Sequence, residues 1–231
     1  MISVSSENFL KEGFVKIEGS LDVSLCQKLM EDFKKLRPIS ADYFKENVYM
    51  KESEYDPNKT ARKTGPSIGN NLVEHVDLDF IENNQDVQKA ISSVLGSGYK
   101  IINKKFVMGV PRNFIPDWIL KKTDDTPSAN LCQFIKPEYR DMTYFHGIDF
   151  HMDIVDHKNR IGNFITLYVY INDVDENMSP LFVVPDSHVF GALIFPHDIK
   201  ILNKNMLRLS NGEGKSKDLE FNMLAGKSGS V

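Results

Sequence analysis

The pattern of apolar residues changes at about Asn130, and this change is the strongest constraint on how the chain can fold. Before it, two segments carry helical periodicity, from about Leu21 to Leu36 and from Asp77 to Leu95. After it come short runs of β-branched and aromatic residues separated by turns. Helices followed by evenly spaced strands predict a mainly β (α+β) domain, a sandwich or barrel with helices packed outside.

Individual elements follow from the same periodicities. Apolar side chains at Leu21, Leu25, Leu29 and Phe33 share one helix face, and Pro38 ends that helix. The predicted strands are Phe14–Glu18, Lys105–Met108, Leu131–Ile135, Asn163–Ile171 and Leu181–Val184. The polar, proline-containing segments 39–71 and 111–128 are predicted to be loops.

Composition excludes several classes of protein. The 231 residues carry a formal net charge of −4, so no general basic surface invites nucleic acid. Two cysteines without CxxC spacing argue against a disulfide scaffold or a structural zinc site. The N-terminus lacks signal-peptide features, and no apolar run is long enough to span a membrane. We therefore expect a cytoplasmic protein with neither a nucleic-acid nor a membrane partner, folded as one domain over residues 1–231.

The tripeptide His151-Met152-Asp153 is the pattern that points to chemistry. In a strand, residues i and i+2 project from the same face, so this imidazole and carboxylate would converge there. An imidazole, a carboxylate and a third protein ligand form the facial triad of non-haem Fe(II) oxygenases. The isolated pattern is weak, because six histidines in an acid-rich chain produce such pairs by chance, and a surface His near an Asp is the alternative.

The segments around this pair add a family resemblance. After His151-x-Asp153 come a strand candidate, the run Asn177-Met178-Ser179-Pro180-Leu181 and the run Val184-Pro185-Asp186-Ser187-His188. This order resembles the phytanoyl-CoA dioxygenase family, and the opening Gly13-Phe14-Val15-Lys16-Ile17-Glu18-Gly19 resembles the first strand of that family. The resemblance implies a double-stranded β-helix (jelly-roll, cupin-like) that uses Fe(II) and 2-oxoglutarate as cofactors. It also implies O2 and a small molecule as substrates.

The resemblance carries over residue by residue. His151 and Asp153 fall on the first two iron ligands, and Tyr168, Gln133 and Cys132 fall near positions that contact 2-oxoglutarate. The Asp153 carboxylate argues for hydroxylation, because related halogenases have a small residue there.

Three positions in the runs 177–181 and 184–188 can be compared with the family pattern. Ser179 and Asp186 stand where the family usually has glycine, and His188 falls on a structural histidine. The terminal run 225–231 resembles the entry to a strand that carries the third ligand, a histidine, and then a cofactor-binding arginine. We therefore expect the chain to be incomplete at its C-terminus and to lack both residues, with little or no activity as it stands.

Substrate contacts are expected in two loops, 43–63 and 110–122. Those loops contain Tyr43, Phe44, Tyr49, Arg62, Arg112 and Trp118. Arg112 and Trp118 are the predicted substrate-binding residues, and they suit an anionic or partly apolar small molecule. Two alternatives remain: a non-catalytic β-helix protein that binds a small ligand, and a cupin-like metal isomerase, for which the chain has few histidines. The sequence leaves the oligomeric state open.

Overall fold

The structure is a computed structural model of the chain, and it describes residues 6–57, 72–123, 128–139, 143–147, 150, 164–190, 198–210 and 214–231. Among these residues, no helix is both long enough and apolar enough to cross a membrane.

The N-terminal part of the described chain is helical. Helix α1 is Ser6–Glu12, α2 is Val23–Leu36, and the short α3, Ala41–Tyr43, continues into a π-helix, Phe44–Val48. Helix α2 begins after Asp22, whose carboxylate accepts hydrogen bonds from the backbone N–H groups of Ser24 and Leu25 at 2.7 and 3.3 Å. This helix confirms the one predicted from the apolar periodicity.

The second predicted helical segment forms two helices. Helix α4 is Asp79–Glu82 and α5 is Gln85–Leu95. Between them, the Asn84 side chain accepts from the N–H groups of Asp86 and Val87 at 3.0 Å, which starts α5 as a separate helix. Gly96, with a φ of 80°, follows the last turn and lets the chain leave it.

The strands fall into three small sheets. They are β1 Val107–Gly109, β2 Ser128–Asn130, β3 Thr143–Gly147, β4 Leu181–Val183, β5 Asp198–Ile201, β6 Met206–Ser210, β7 Ser216–Glu220 and β8 Asn222–Leu224. The sheet orders are β1-β3-β2, β4-β8 and β5-β6-β7, and every pair is antiparallel except β1 with β3, which is parallel. The described residues thus form an α+β arrangement without a closed barrel.

The C-terminal segment 222–231 links several parts of the molecule by backbone hydrogen bonds. After pairing with β4 it exchanges bonds between Gly226 and Val174 at 2.8 and 2.9 Å. Gly229 and Ser230 then bond to Tyr170, and Val231 exchanges bonds with Ile17 at 2.7 and 2.9 Å. Residues 170–183 therefore run antiparallel to this segment, and residues 175–180 form a loop that is not part of the ladder.

Among the described residues, the buried side chains form three clusters. The largest joins α2, the π-helix and residues 106–135, and it includes Phe33, Phe44, Tyr49 and Phe134. A second lies on the inner face of β6 and β7 and consists of Leu207, Leu209, Leu219 and Phe221. A third, around Leu21, Cys26 and Val87, joins α2 to α5 and also contacts Val231.

Several sequence predictions differ from the structure. Residues 131–134, predicted as a strand, form a 3-10 helix, and only Ile135 makes a β-bridge, to Tyr49. Residues 117–123, predicted as loop, form helix α6, Asp117–Thr123. The segments 14–18 and 164–170 are not regular strands, although Ile17 and Tyr170 make the ladder bonds described above. As predicted, Lys105–Met108 overlaps β1, and Leu181–Val184 contains β4.

Candidate functional site

The predicted iron ligands His151 and Asp153 lie outside the described residues, so their assignment stays a prediction. The residue immediately before His151 is described. Phe150 packs edge-on against Phe221, with ring centroids 5.2 Å apart, and belongs to the cluster on the inner face of β6 and β7. Phe150 is therefore held against a packed sheet.

The parallel pairing of β1 with β3 fixes where the chain that leads to Arg112 leaves the sheet. Val107 pairs with Thr143 and Gly109 with Phe145, so the carboxyl ends of both strands lie at one edge of the sheet. The chain after β1 continues beyond this edge to Arg112.

Arg112 combines a fixed backbone with an exposed side chain. It opens a 3-10 helix, Arg112–Phe114, flanked by Val110 and Ile115, which are 0% and 1% exposed. Its carbonyl accepts a hydrogen bond from the Ile115 N–H at 3.2 Å. A guanidinium whose backbone is held in this way can bind a carboxylate or phosphate in a bidentate manner.

The loop 175–180 packs against the chain just before Arg112. The Ser179 hydroxyl donates to the Val110 carbonyl at 2.9 Å, and a Cβ on Gly109 would lie 2.6 Å from the Ser179 carbonyl oxygen. Gly109 therefore permits a close approach of two backbones that no larger residue would allow. Sequence reasoning identified Ser179 only as a replacement for glycine and missed this contact.

Ser179 and Asp186 share an unusual backbone conformation. Their φ angles are 52° and 61°, and they are the non-glycine residues with positive φ within the described part of the chain. These are the two positions at which the resemblance expects glycine, which adopts this conformation without steric cost. The turns at both ends of β4 thus have the backbone conformation typical of glycine, although a serine and an aspartate occupy these positions.

His188 contacts the N-terminal helix. Its Nε2 lies 2.9 Å from the Leu10 carbonyl, and its ring lies against Gly13, where a Cβ would collide with it. The Asp186 N–H donates to the Glu12 carbonyl at 3.2 Å. These contacts hold the run 184–188 against the end of α1, which agrees with the structural role expected for His188.

Trp118 lies on α6 and is half-buried in an aromatic cluster. Its ring centroid is 5.6 Å from that of Tyr55 and 5.7 Å from that of Phe134. The Lys122 Nζ lies over the Tyr55 ring, 5.6 Å from its centroid. This cluster leaves only part of the Trp118 ring uncovered, and sequence reasoning missed Tyr55 as the neighbour of Trp118 and Lys122 as the neighbour of Tyr55.

The two predicted substrate loops contact each other. Besides Tyr55 with Trp118, Phe44 packs on Phe114 with centroids 5.5 Å apart. Phe44 and Tyr49, however, are only 2% and 1% exposed and belong to the core, and Arg62 lies outside the described residues. Tyr43 is half-buried against the largest core cluster, and Arg112 and Trp118 stay the predicted substrate-binding residues.

The predicted 2-oxoglutarate contacts lie on two segments of the chain. Cys132 and Gln133 are half-buried in the 3-10 helix Leu131–Phe134, which follows β2 at the end of the sheet opposite Arg112. Tyr168 is 41% exposed. All three assignments stay predictions, and the strand on which Cys132 and Gln133 were placed is wrong.

Tyr170, which sequence reasoning passed over, is the more firmly held aromatic residue. Its hydroxyl donates to the Leu224 carbonyl at 2.6 Å and accepts from the Leu181 N–H at 3.1 Å. Burial raises the pKa of Tyr170, and the Leu181 N–H partly opposes that rise. This hydroxyl connects residues 164–171 to both strands of the β4–β8 sheet.

The described residues contain no cluster of three or more His, Cys, Asp or Glu side chains that could hold a metal ion. His151 and Asp153 are not among those residues.

Comparison with known proteins gives one match. The family model Phytanoyl-CoA dioxygenase (PhyH) matches residues 9–194, a span that includes the His151-Met152-Asp153 tripeptide and both motif turns around β4. Searches of curated proteins and of solved structures found no match. Because the family model covers most of the chain, the chain belongs to the phytanoyl-CoA dioxygenase family, whose members are in general Fe(II)- and 2-oxoglutarate-dependent oxygenases.

Proposed function

We propose that this protein is an Fe(II)- and 2-oxoglutarate-dependent dioxygenase that hydroxylates a C–H bond of a small molecule. The observation that carries the proposal is the family match over residues 9–194, which spans the His-x-Asp pair. We further propose that residues 1–231 belong to one domain of the double-stranded β-helix kind. The long antiparallel run of 170–183 beside 222–230 supports this architecture.

The donor chemistry of the predicted pair fits the metal. Imidazole nitrogen and carboxylate oxygen, completed by a third ligand on the same side, are the ligands of the non-haem Fe(II) facial triad. His151 and Asp153 would hold the ion, directly after the anchored Phe150. When bound, iron with 2-oxoglutarate and O2 supplies the oxidising chemistry, and the protein positions the substrate and excludes water.

The described residues support specific roles around that centre. Arg112, exposed at the edge where β1 and β3 end, would bind an anionic group of the substrate. The Tyr55–Trp118 pair would provide an apolar wall beside it. Tyr168, Gln133 and Cys132 are proposed contacts of 2-oxoglutarate. The Asp153 carboxylate favours hydroxylation over halogenation.

The proposal is tested with protein expressed from the complete open reading frame. We expect 2-oxoglutarate-dependent succinate formation upon addition of Fe(II), with loss of activity in His151→Ala and Asp153→Ala. His75→Ala is the matched control, because this exposed histidine lies in the 3-10 helix Leu72–His75, away from the predicted ligands in sequence. Calorimetric titration with Fe(II) under anaerobic conditions gives a readout that is independent of turnover.

Each outcome has a clear meaning. Full succinate formation by His151→Ala would show that the ligand assignment is wrong. Binding of 2-oxoglutarate by the parent protein without succinate formation would favour the non-catalytic ligand-binding alternative. A decrease in turnover in Arg112→Ala, with Fe(II) binding unchanged, would support a substrate contact at that residue.

A further inference from the structure

The segment Lys100–Lys105, between α5 and β1, projects from the body of the protein. All six residues are exposed, and Ile101 and Ile102 are 52% and 84% exposed. In an extended chain, successive side chains point to opposite sides, so a segment lying on a surface covers alternate residues. Exposure of two adjacent isoleucines therefore shows that both sides of this segment face solvent.

The far end of the segment is firmly anchored. Phe106 is 8% exposed, and its ring centroid lies 4.1 Å from that of Phe33 in the largest core cluster. The projecting isoleucines are therefore presented from a rigid base at β1. Two large apolar side chains held in water in this way indicate a contact surface.

The charged residues within the segment are all lysines. Lys100, Lys104 and Lys105 surround Ile101 and Ile102, and the segment contains no acidic residue. The Lys104 ammonium lies 2.6 Å from a carboxylate oxygen of Glu82 at the base of the segment. Although the whole chain carries a net charge of −4, this projection is locally basic and complements an anionic partner.

The same charges argue against a second copy of the chain as the partner. If two copies of residues 100–105 paired antiparallel about their centre, Lys100 of one would lie opposite Lys105 of the other, and Ile101 opposite Lys104. Like charges directly opposite each other destabilise a strand pair. The pattern instead matches a lipid surface, where apolar side chains enter the acyl region and lysine stems reach back to anionic headgroups.

We propose that residues 100–105 form a peripheral docking element for a membrane surface that carries anionic lipids. Ile101 and Ile102 would insert, and Lys100 and Lys105 would contact phosphate groups at the surface. The expectation of no membrane partner, drawn from the sequence, rested on the lack of a spanning segment, and a docking loop needs none. The affinity of residues 100–105 for the membrane surface should be modest and salt-sensitive, because few charges and only two apolar side chains take part.

The test is co-sedimentation of the full chain with vesicles of phosphatidylglycerol and phosphatidylcholine in equal parts, and with pure phosphatidylcholine. We expect binding only to the mixed vesicles. Ile101→Ser/Ile102→Ser should reduce the partition coefficient by about tenfold or more, since burial of an isoleucine is worth about that factor. Lys100→Gln/Lys105→Gln should reduce it by roughly fivefold per lysine.

The matched control is Leu10→Ser/Val189→Ser, which removes two apolar side chains of similar exposure, 69% and 66%, elsewhere on the surface. This variant should bind like the parent. Equal binding to both vesicle types, or binding unchanged by the isoleucine substitutions, would overturn the proposal. So would a parent dimer that becomes monomeric in the isoleucine variant, because it would assign the surface to a second copy.

Discussion

The Tyr170 hydroxyl joins two strands, and its removal tests the ladder along the C-terminal segment. Leu181 and Leu224 lie directly opposite each other in the β4–β8 pair. The hydroxyl accepts from the Leu181 N–H at 3.1 Å and donates to the Leu224 carbonyl at 2.6 Å. In Tyr170→Phe both backbone groups lose this partner, while the ring keeps its packing against Gly226.

The expected magnitude follows from two hydrogen bonds. Each contributes about 1 kcal/mol, so Tyr170→Phe should lower the free energy of unfolding by about 2 kcal/mol. For a chain of this length that corresponds to a decrease in Tm of roughly 4–8 °C.

The pH dependence of the free energy of unfolding gives a second test. Because burial raises the pKa of Tyr170 in the folded state, the unfolded chain ionises first as the pH rises. The stabilisation from this difference is fully present below about pH 10 and is lost as the pH rises through the folded-state pKa. Tyr170→Phe should reduce that alkaline loss.

The assay is urea unfolding followed by circular dichroism, at about pH 8 and again above about pH 10. Tyr99→Phe, at a half-buried tyrosine that precedes the projecting segment, is the matched control and should change stability by less than about 0.5 kcal/mol. A Tyr170→Phe protein as stable as the control at both pH values would refute the reasoning.

Backbone conformation gives two further predictions. Gly13→Ala should destabilise the protein by more than about 1 kcal/mol, because φ is +81° and the new Cβ would meet the His188 ring. The measurement is thermal unfolding. Gly98→Ala is the control, because nothing lies within 4 Å of a Cβ built at Gly98. Equal Tm values for the two variants would contradict this account. Asp186→Gly should stabilise by about 0.5–1 kcal/mol because φ is 61°, whereas Ser179→Gly should gain less because it also loses the hydroxyl's hydrogen bond. Denaturant midpoints that decrease in both variants would show that neither turn is strained.

Local signals predicted some elements well and others badly. Helix α2 was predictable because its apolar residues repeat at helical spacing and Asp22 caps its first turn. Helix α6 was missed, although Pro116 before its first residue and Lys121 and Lys122 in its last turn are helix-end signals. The run 131–135 was wrongly predicted as a strand because a short apolar run does not distinguish a strand from a helical turn whose members pack in the core.

For the site, local patterns supplied candidates but not their arrangement. The resemblance marked Ser179 and Asp186 as glycine positions, and their positive φ angles agree with it. Nothing in the sequence placed Ser179 against Val110, or Trp118 against Tyr55. Those contacts join residues 69 positions apart in the first case and two separate loops in the second, and their positions depend on how the core packs.

The amino-acid sequence by itself determined the helices with strong periodicity, the motif turns around β4, the His151-x-Asp153 pair and the family to which they belong. Each of these is encoded within a few neighbouring residues, where spacing and conformational preference act directly. Only the tertiary structure decided that residues 222–231 link β4, Tyr170 and Ile17, and that β1, which precedes Arg112, pairs in parallel with β3. Such pairings depend on the summed burial and hydrogen bonding of distant segments, which no local window of sequence contains.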